Sequence, residues 1–381
     1  MVALDWLGIM LAALALIGCG YQLFAAVALN QFFARPRLPA HAHVPVTILK
    51  PLHGDEPKLV ANLTTFLAQD YDAPVQLLCG VSNPQDPAIG VVRRLQADGS
   101  ERKIDLIIDP ATHGANAKIG NLTNMLPAAR HDILVLCDSD MVVGRDYLAA
   151  IVAALDQPGI GAVTCLYRGR ADTGMSSQVA AGTISYVALP DIIVGLTTRL
   201  AMPCMGSTIA LRRETLVAIG GFDRFANVLA DDYAIGQAIA KTGLRVTVPP
   251  ILLVHACAED GARALWRHEL RWAATIRSLQ PAGYAGSIIT NPLPLAILSS
   301  AFLGLPGFAL VPLSLATRLI LARRIDRVAG ATTVPLWLLP MIDCFRFAVF
   351  VASFFVTTVD WRGARYTMAG DGGISARKAE R

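Results

Sequence analysis

Between residues 44 and 279, short apolar runs alternate with amphipathic segments. Five runs have the length of buried strands: 46–49, 75–81, 104–108, 133–136 and 161–166. Segments 57–68 and 87–97, which separate the first of these runs, carry apolar residues at helical spacing. Strands that alternate with helices form parallel sheets with right-handed crossovers, so this part of the chain is predicted to be an α/β domain.

Longer apolar runs flank this region and predict membrane helices. Residues 6–29 are almost wholly apolar, about the length that crosses a bilayer core of roughly 30 Å. A cleaved signal peptide is the alternative, but no basic segment precedes the run. Arg35 and Arg37 follow it, and positively charged flanks face the cytoplasm. We therefore expect a membrane anchor over 1–34 and a cytosolic domain over 44–280.

The C-terminal apolar region, residues 285–360, allows several topologies. The run 291–321 is too long for one straight span and contains prolines, which is typical of a tilted or kinked helix or of a short hairpin. The run 334–359 contains Asp343 and Arg346, near enough on one helix to pair with each other. Basic clusters follow both runs, so either the second run folds back or the first cluster lies on an interfacial helix.

Composition supports a membrane protein. The 381 residues are 54% hydrophobic and 16% charged, whereas soluble domains carry about 25% charged residues. The net charge of +4 gives no reason to expect nucleic acid as a partner. The seven cysteines lack metal-site spacing, which predicts free thiols in a reducing compartment. The basic tail, residues 361–381, is expected to be cytosolic.

Two aspartates follow the strand predicted over 133–136. Side chains two apart on a strand share a face, so Asp138 and Asp140 are expected to point to one side at the carboxyl end of the sheet. Ligands bind at that edge in open α/β sheets, and carboxylates suit Mg²⁺ or Mn²⁺. Alone, Asp-x-Asp also fits a solvated turn. His255 is either a further metal ligand or a packed residue.

Other polar side chains are predicted in loops or helix starts at the same edge. Asp86 follows the strand predicted over 75–81 and is either a turn residue or a carboxylate that hydrogen-bonds a nucleobase or ribose. Lys118 precedes a predicted helix, where a lysine can meet a phosphate. Asp231 and Asp232 open another predicted helix, either as ordinary first-turn acids or as a general base whose pKa a neighbouring carboxylate raises.

The last motif, Trp266-Arg-His-Glu-Leu-Arg-Trp272, directly precedes the C-terminal apolar region. Its basic and aromatic residues fit an amphipathic helix at a membrane surface. They also fit a site in which Arg271 neutralises a diphosphate and Trp272 lines an acceptor slot. His268 belongs to the same predicted helix.

The order of these motifs resembles that of inverting family 2 glycosyltransferases with the GT-A fold, over about residues 44–280. Within that family, some segments look like those of ceramide glucosyltransferase-like enzymes: 49–54, 86–89, 137–139 and 232–233. Others are more similar to the hopanoid-biosynthesis glycosyltransferases: 165–170, 206–214, 229–236 and 267–272. One position departs from the broad family, which usually has Gln or Arg where His268 stands.

The resemblance implies a fold and an activity. The fold is a GT-A domain, Rossmann-like with a mostly parallel sheet and flanking helices, plus transmembrane helices at both ends. The implied reaction transfers N-acetylglucosamine from its UDP sugar to bacteriohopanetetrol with inversion. A ceramide glucosyltransferase that uses UDP-glucose is the nearest alternative. The implied location is a bacterial-type inner membrane, crossed several times, with the catalytic domain in the cytoplasm.

The resemblance also assigns roles to individual residues. Asp86 holds the uridine, and Asp138 and Asp140 position Mg²⁺ or Mn²⁺ on the diphosphate. Asp232, beside Asp231, is the base that deprotonates the lipid hydroxyl. Lys118 and Arg271 are the cations that offset charge on departing UDP. Apart from the resemblance, His268 and Trp272 are expected at the substrate, and His255 stays a candidate metal ligand.

Two readings compete with a lipid glycosyltransferase. A processive polysaccharide synthase shares the domain but needs more membrane spans than this chain provides. A non-catalytic membrane scaffold or transporter would use charged residues within its spans, for which Asp343 and Arg346 are the candidates. The acidic motifs between residues 44 and 280 favour the enzyme.

Overall fold

The apolar runs form a central sheet and a layer of long helices. The structure, a computed structural model, describes residues 2–38, 44–54, 56–98, 104–356, 358–361, 364–368 and 374–376. The strands are β1 (Val46–Pro51), β2 (Val75–Val81), β3 (Ile104–Ile108), β4 (Ile133–Leu136), β5 (Met141–Val142), β6 (Ile160–Thr164), β7 (Leu166–Ala171), β8 (Ile209–Arg212), β9 (Arg245–Thr247), β10 (Leu252–Cys257), β11 (Thr358–Trp361), β12 (Ala364–Met368) and β13 (Ile374–Ala376).

The helices alternate with the first strands and then dominate the C-terminal part. They are α1 (Val2–Phe33), α2 (Leu59–Leu67), α3 (Ala88–Ala97), α4 (Ala117–Met125), α5 (Tyr147–Leu155), α6 (Met175–Thr183), α7 (Leu189–Thr198), α8 (Arg213–Ala218), α9 (Asp231–Lys241), α10 (Ala262–Leu279), α11 (Pro281–Gly286), α12 (Pro292–Leu303), α13 (Leu305–Phe308), α14 (Leu310–Ala329) and α15 (Leu339–Ser353).

The central sheet has seven strands in the order β3-β2-β1-β4-β8-β6-β9. β1 pairs in parallel with both β2 and β4, whereas β8 runs antiparallel to β4 and β6. The strand order therefore reverses at β1, which has β2 on one side and β4 on the other. In open α/β sheets, ligands bind in a crevice at the carboxyl ends of the strands where the order reverses. The predicted mostly parallel α/β sheet is confirmed, except that the fifth predicted run divides into β6 and the start of β7.

Both faces of the sheet are buried, which explains the continuous apolar runs of its strands. Alternate residues of β1 face opposite sides: Ile48 packs in one core cluster with α2 and α5, and Leu49 packs in another with α4 and α9. The carboxyl ends of β1 and β4 are thereby fixed by packing on two sides.

A smaller sheet, β5-β10-β7, lies next to the central one. Its strand β10 pairs antiparallel with β5, with His255 opposite Met141, and parallel with β7. This pairing places His255 beside the turn that follows β4.

The helical layer contains an element that sequence analysis did not identify. Among the described residues, four helices are long and apolar enough to cross a membrane: Leu4–Phe33, Met175–Thr198, Leu305–Ala329 and Leu336–Ser353. A fifth candidate is the helix pair spanning 281–303, which is bent by 70°. The helix Met175–Thr198 lies inside the range expected to be a cytosolic domain, and it shares an apolar cluster with α1, α14 and α15.

The C-terminal run 291–321 forms a hairpin, one of the alternatives considered for it. Helices α12 and α14 pack on each other and on α1, and the chain turns between them at Gly304. The φ of Gly304 is +60°, a conformation that residues with a Cβ rarely adopt. The predicted basic tail, 361–381, lies largely outside the described residues.

The charged residues of these helices pair between helices. Arg318 of α14 donates to the carbonyl of Tyr186 and pairs with Asp343 of α15, and all these groups are buried. Arg346 pairs with Glu269 of α10 at 3.1 Å. The suggestion that Asp343 and Arg346 pair with each other is therefore wrong, because each finds a partner on another helix.

Candidate active site

Asp138 lies just beyond the carboxyl end of β4, where side chains from α4 and α9 come close to it. Lys118, in the first turn of α4, lies 2.6 Å from Asp138 Oδ1 and 3.6 Å from Asp231 Oδ2. Helix α4 begins here because the side-chain oxygen of Asn116 accepts the amides of Lys118 and Ile119. Asn116 Nδ2 also donates to Asp231 Oδ1 at 3.2 Å. One cap residue thus fixes both the lysine and one of the aspartates.

Asp232 opens α9 beside Asp231 and reaches the same place. Its Oδ2 accepts the amide of Gly206 at 2.9 Å, and its Oδ1 accepts the amide of Tyr233 at 2.7 Å. A Cβ added to Gly206 would lie 3.0 Å from Lys118 Nζ, so a side chain there would crowd the cluster. Burial and Asp231 raise the pKa of Asp232 to about 6, while Lys118 acts in the opposite direction.

The neighbouring residues Asp231 and Asp232 differ in their exposure to solvent. Asp231 is buried and bonded to Asn116, whereas Asp232 is half-buried. A carboxylate whose pKa lies near neutral pH accepts protons efficiently at neutral pH, provided that a ligand can reach it. Asp232 is therefore better placed than Asp231 to serve as a general base.

Asp140 lies two residues after Asp138, in the turn after β4, and pairs with a different segment. Its Oδ2 is 3.1 Å from His255 Nε2. Burial would raise the pKa of Asp140, but the nearby His255 outweighs this effect and holds the pKa below its ordinary value. Asp140 Oδ1 is shielded from solvent and has no hydrogen-bond partner among the described residues. His255 thus orients one carboxylate oxygen, and the other has no partner among the described residues.

Lys50 is a site residue that was not predicted. Lys50 is fully buried, donates to the carbonyl of Asp138 at 2.6 Å, and lies over the ring of Phe66 at 3.6 Å from its centroid. It supports the turn that carries the two aspartates. The available signal was a charged residue inside a strand that is otherwise buried.

Asp86 lies at the same sheet edge but outside the Lys118 cluster. It follows β2, two strands from β4 and hence about 10 Å across the sheet. Its carboxylate is buried and accepts the amides of Gly54 at 3.0 Å and Ala88 at 2.9 Å. The expected contact with a nucleobase or ribose stays a prediction, because the observed bonds also describe a turn residue.

The amphipathic helix predicted around Trp266–Trp272 is α10, and it meets the site through His268. His268 Nδ1 lies 2.9 Å from Glu259 Oε1, and its ring packs edge-on against Trp272 with centroids 5.1 Å apart. His268 also lines a cavity together with Asp140 and His255. Arg271 lies three residues further along α10.

The donor set fits a metal that a substrate helps to hold. No three His, Cys, Asp or Glu side chains in the described part of the chain are grouped so that they alone could hold a metal. Asp138 and Asp140 nevertheless supply carboxylates at one turn, and Asp140 Oδ1 lacks a partner. Mg²⁺ is usually bound by one or two carboxylates together with substrate phosphates.

Comparison with known proteins adds relatives of known activity. Ceramide glucosyltransferase 1 of Caenorhabditis elegans is 26% identical over 218 residues, 56% of this chain and 44% of that protein. The ceramide glucosyltransferase of Komagataella phaffii is 32% identical over 135 residues, 34% of this chain and 26% of that protein. These matches cover less than half of each relative's length.

Known structures support the fold. A mannosyltransferase from Pyrobaculum calidifontis, solved in complex with GDP-Man and Mn²⁺, has 23% sequence identity and a TM-score of 0.54. The alignment covers 92% of this chain and 99% of that one. The predicted GT-A fold is confirmed by this similarity.

The family assignment rests on nearly the whole sequence. The model of glycosyl transferase family 21 matches residues 10–374. Together with the curated relatives, this confirms the ceramide glucosyltransferase-like part of the predicted resemblance, whereas the placement in family 2 and the hopanoid-specific part stay predictions. The chain belongs to glycosyl transferase family 21.

Proposed function

We propose that this protein transfers a sugar from a UDP sugar to the hydroxyl of a membrane lipid, with inversion at the anomeric carbon. The observation that carries the proposal is the convergence of Lys118, Asp138 and Asp232 at the carboxyl ends of the central strands. A cation, a carboxylate turn and a candidate base at one point are what such a displacement requires.

Asp232 is the proposed general base. The Gly206 amide holds Oδ2, the Tyr233 amide holds Oδ1, and the pKa of about 6 leaves the carboxylate ionised at neutral pH. It removes the proton of the lipid hydroxyl as the hydroxyl oxygen attacks the anomeric carbon. The bond to the diphosphate oxygen breaks on the opposite face, so one displacement inverts the configuration without a covalent intermediate.

The leaving diphosphate is proposed to lie between Lys118 and the turn of Asp138 and Asp140. Lys118 stays protonated because nearby carboxylates raise its pKa, outweighing the effect of burial. Mg²⁺ or Mn²⁺ held by the two aspartates would offset charge on UDP. Arg271 of α10 is proposed to add a second positive charge, with His268 and Trp272 beside it, and Asp86 is proposed to hold the uridine.

A lipid acceptor is supported by the helices next to the site. The apolar helix Met175–Thr198 ends eight residues before Gly206, whose amide holds Asp232. Helix α10, which carries His268, packs on α15 through an apolar cluster. We propose that the protein crosses a bacterial inner membrane several times, with its catalytic site on the cytoplasmic side.

Two donor–acceptor pairs are proposed. The motif resemblance favours N-acetylglucosamine and bacteriohopanetetrol. The curated relatives favour glucose and ceramide, since both are ceramide glucosyltransferases.

The test is a transfer assay with the purified full chain in lipid nanodiscs. UDP-N-acetylglucosamine and UDP-glucose are each combined with bacteriohopanetetrol and with ceramide, and products are identified by mass spectrometry. A glycosylated lipid in one combination, with UDP released in equal amount, supports the proposal. UDP release without a glycolipid in any combination rejects a lipid acceptor of these classes.

A further inference from the structure

The exposed side of α14 changes character along the helix. Its first part exposes apolar side chains and its last turns expose arginines: Leu313, Leu319, Ile320, Arg323, Arg324 and Arg327. With about 3.6 residues per turn, these positions fall on one side of the helix. We call Arg323, Arg324 and Arg327 the arginine stripe.

The opposite side of α14 is fixed by packing. Leu321, Ala322 and Ile325 are at most 1% exposed and belong to the apolar cluster that α14 shares with α1, α15 and the helix Met175–Thr198. The arginine stripe therefore faces away from this cluster. An exposed face that changes from apolar to basic within one turn fits the boundary between the hydrocarbon core of a bilayer and its headgroups.

In the described part of the chain, no carboxylate forms an ion pair with the arginine stripe, although Arg318 on the same helix pairs with Asp343. Asp326 lies between the arginines in sequence, but its Oδ1 accepts the hydroxyl of Tyr186 at 2.7 Å and the amide of Thr333 at 3.3 Å. One carboxylate held by the protein leaves positive charge in excess on the exposed side of the helix.

Helices α1 and α14 run in the same direction, which brings a further arginine to this end. Cys19 Sγ lies 3.5 Å from Ser314 Oγ, and the hydroxyl of Thr317 donates to Gln22 at 2.7 Å. Residue numbers rise together along this contact, so the carboxyl ends of both helices lie at the same end of the helical layer. Arg35, which is exposed just beyond α1, adds positive charge there.

An exposed tryptophan lies close to the same end. Trp337 belongs to the segment that connects α14 to α15, and it is 69% exposed. Tryptophan side chains are enriched where a bilayer meets water. Trp337 and the arginine stripe thus both indicate that headgroups lie at this end of α14, which is also the end where α1 leads toward β1.

The chemistry of the arginine stripe selects the ligand. A guanidinium group donates two parallel hydrogen bonds to a phosphate, and several basic groups together favour a lipid with net negative charge. A zwitterionic lipid also carries a phosphate, but its own ammonium group offsets the charge. We propose that the arginine stripe binds the headgroup phosphates of anionic phospholipids. This inference does not depend on which sugar or acceptor the protein uses.

The test compares short-chain phosphatidylglycerol with short-chain phosphatidylcholine, which share a phosphate and differ in net charge. Native mass spectrometry of the full chain in a neutral detergent gives the affinity for each lipid. The stripe variant, Arg324→Gln/Arg327→Gln, removes two exposed charges of α14. The matched control, Arg93→Gln/Arg94→Gln, removes two exposed charges of α3. Thermal unfolding checks that both variants fold.

The wild type and the control should bind phosphatidylglycerol about tenfold more tightly than phosphatidylcholine, because each arginine near an anionic lipid strengthens binding about fivefold. In the stripe variant this preference should fall by at least about threefold. A smaller fall overturns the inference, and so does an equal fall in the control or equal affinity of the wild type for the two lipids.

Two further measurements need no variant. High salt should remove most of the preference of the wild type, because exposed charges are screened at high ionic strength. A preference that does not change with salt would contradict binding by the arginines. If inorganic phosphate raised the unfolding temperature as much as phosphatidylglycerol does, the ligand would be a free anion, and the proposal of a lipid would be wrong.

Discussion

The sheet edge and the helical layer both bury charged side chains, but they balance the charge differently. At the sheet edge, the carboxylates of Asp138, Asp231 and Asp232 surround Lys118, and Lys50 contacts only the backbone carbonyl of Asp138. In the helical layer, buried charges of opposite sign are paired one to one in two places, Arg318 with Asp343 and Arg346 with Glu269. Carboxylates in excess of cations can bind a metal cation and accept a proton. One-to-one ion pairs between helices instead stabilise the packing of those helices.

The largest expected effect concerns the base. Asp232→Asn should lower turnover by about 10³- to 10⁴-fold, because the amide cannot accept the proton of the hydroxyl. UDP affinity should remain, since the bond from the Gly206 amide needs only an oxygen. Measured kcat and calorimetry check this result, with Asp132→Asn, whose side chain is 93% exposed, as control. Unchanged turnover would reject Asp232 as the base.

Removal of divalent metal is expected to have the next largest effect. EDTA should lower transfer by about 10³-fold, because charge on the departing diphosphate then lacks compensation at the two aspartates. Added Mg²⁺ or Mn²⁺ should restore the rate. Full activity in chelator would show that Lys118 and Arg271 offset the charge on the departing diphosphate without a metal.

Breaking a matched pair should lower stability rather than catalysis. Arg318→Met leaves Asp343 buried without its cation and should cost about 3–5 kcal/mol of unfolding free energy. The double variant Arg318→Met/Asp343→Leu should recover most of this loss. Arg37→Met, which breaks the exposed pair with Asp146, should cost at most about 1 kcal/mol. Denaturant unfolding in detergent checks all three variants. Equal losses of unfolding free energy for Arg318→Met and Arg37→Met would show that the buried pair stabilises the protein no more than the exposed one.

The smallest expected effect is the pH dependence. The pKa of Asp232 is raised to about 6, so lowering the pH below 6 protonates the base and kcat should fall about tenfold per pH unit. Above pH 6 the rate should level off. Asp231→Asn should move the midpoint to lower pH, because Asp231 contributes to raising it. An unchanged midpoint would show that Asp231 does not raise the pKa of Asp232.

Local pattern was enough to predict the strands and several site residues. The apolar run before Asp138 predicts β4. The expectation that Asp138 and Asp140 share one side of a strand does not apply, because β4 ends at Leu136 and both aspartates follow it, Asp138 beside Lys118 and Asp140 beside His255. Lys118 and Asp232 were proposed from their positions at helix starts, and the structure brings Lys118, Asp138 and Asp232 together.

The rest depends on contacts between distant segments. The contacts of Asn116 with Asp231 and of Lys50 with Asp138 join segments far apart in the chain, so the sequence pattern does not reveal them. The helix Met175–Thr198 escaped detection because Ser, Thr and Gly interrupt its apolar sequence, as in a buried helix of a soluble domain. The pair of Glu259 with His268 joins α10 to the segment after β10 and likewise was not predicted.

The helix Met175–Thr198 has a practical consequence for anyone expressing part of this chain. Its apolar surface packs in one cluster with helices from both ends of the sequence, α1, α14 and α15. A truncated form that keeps only residues 44–280 would expose that surface to water and aggregate. Biochemistry on this protein therefore requires the whole polypeptide, extracted with lipid or detergent.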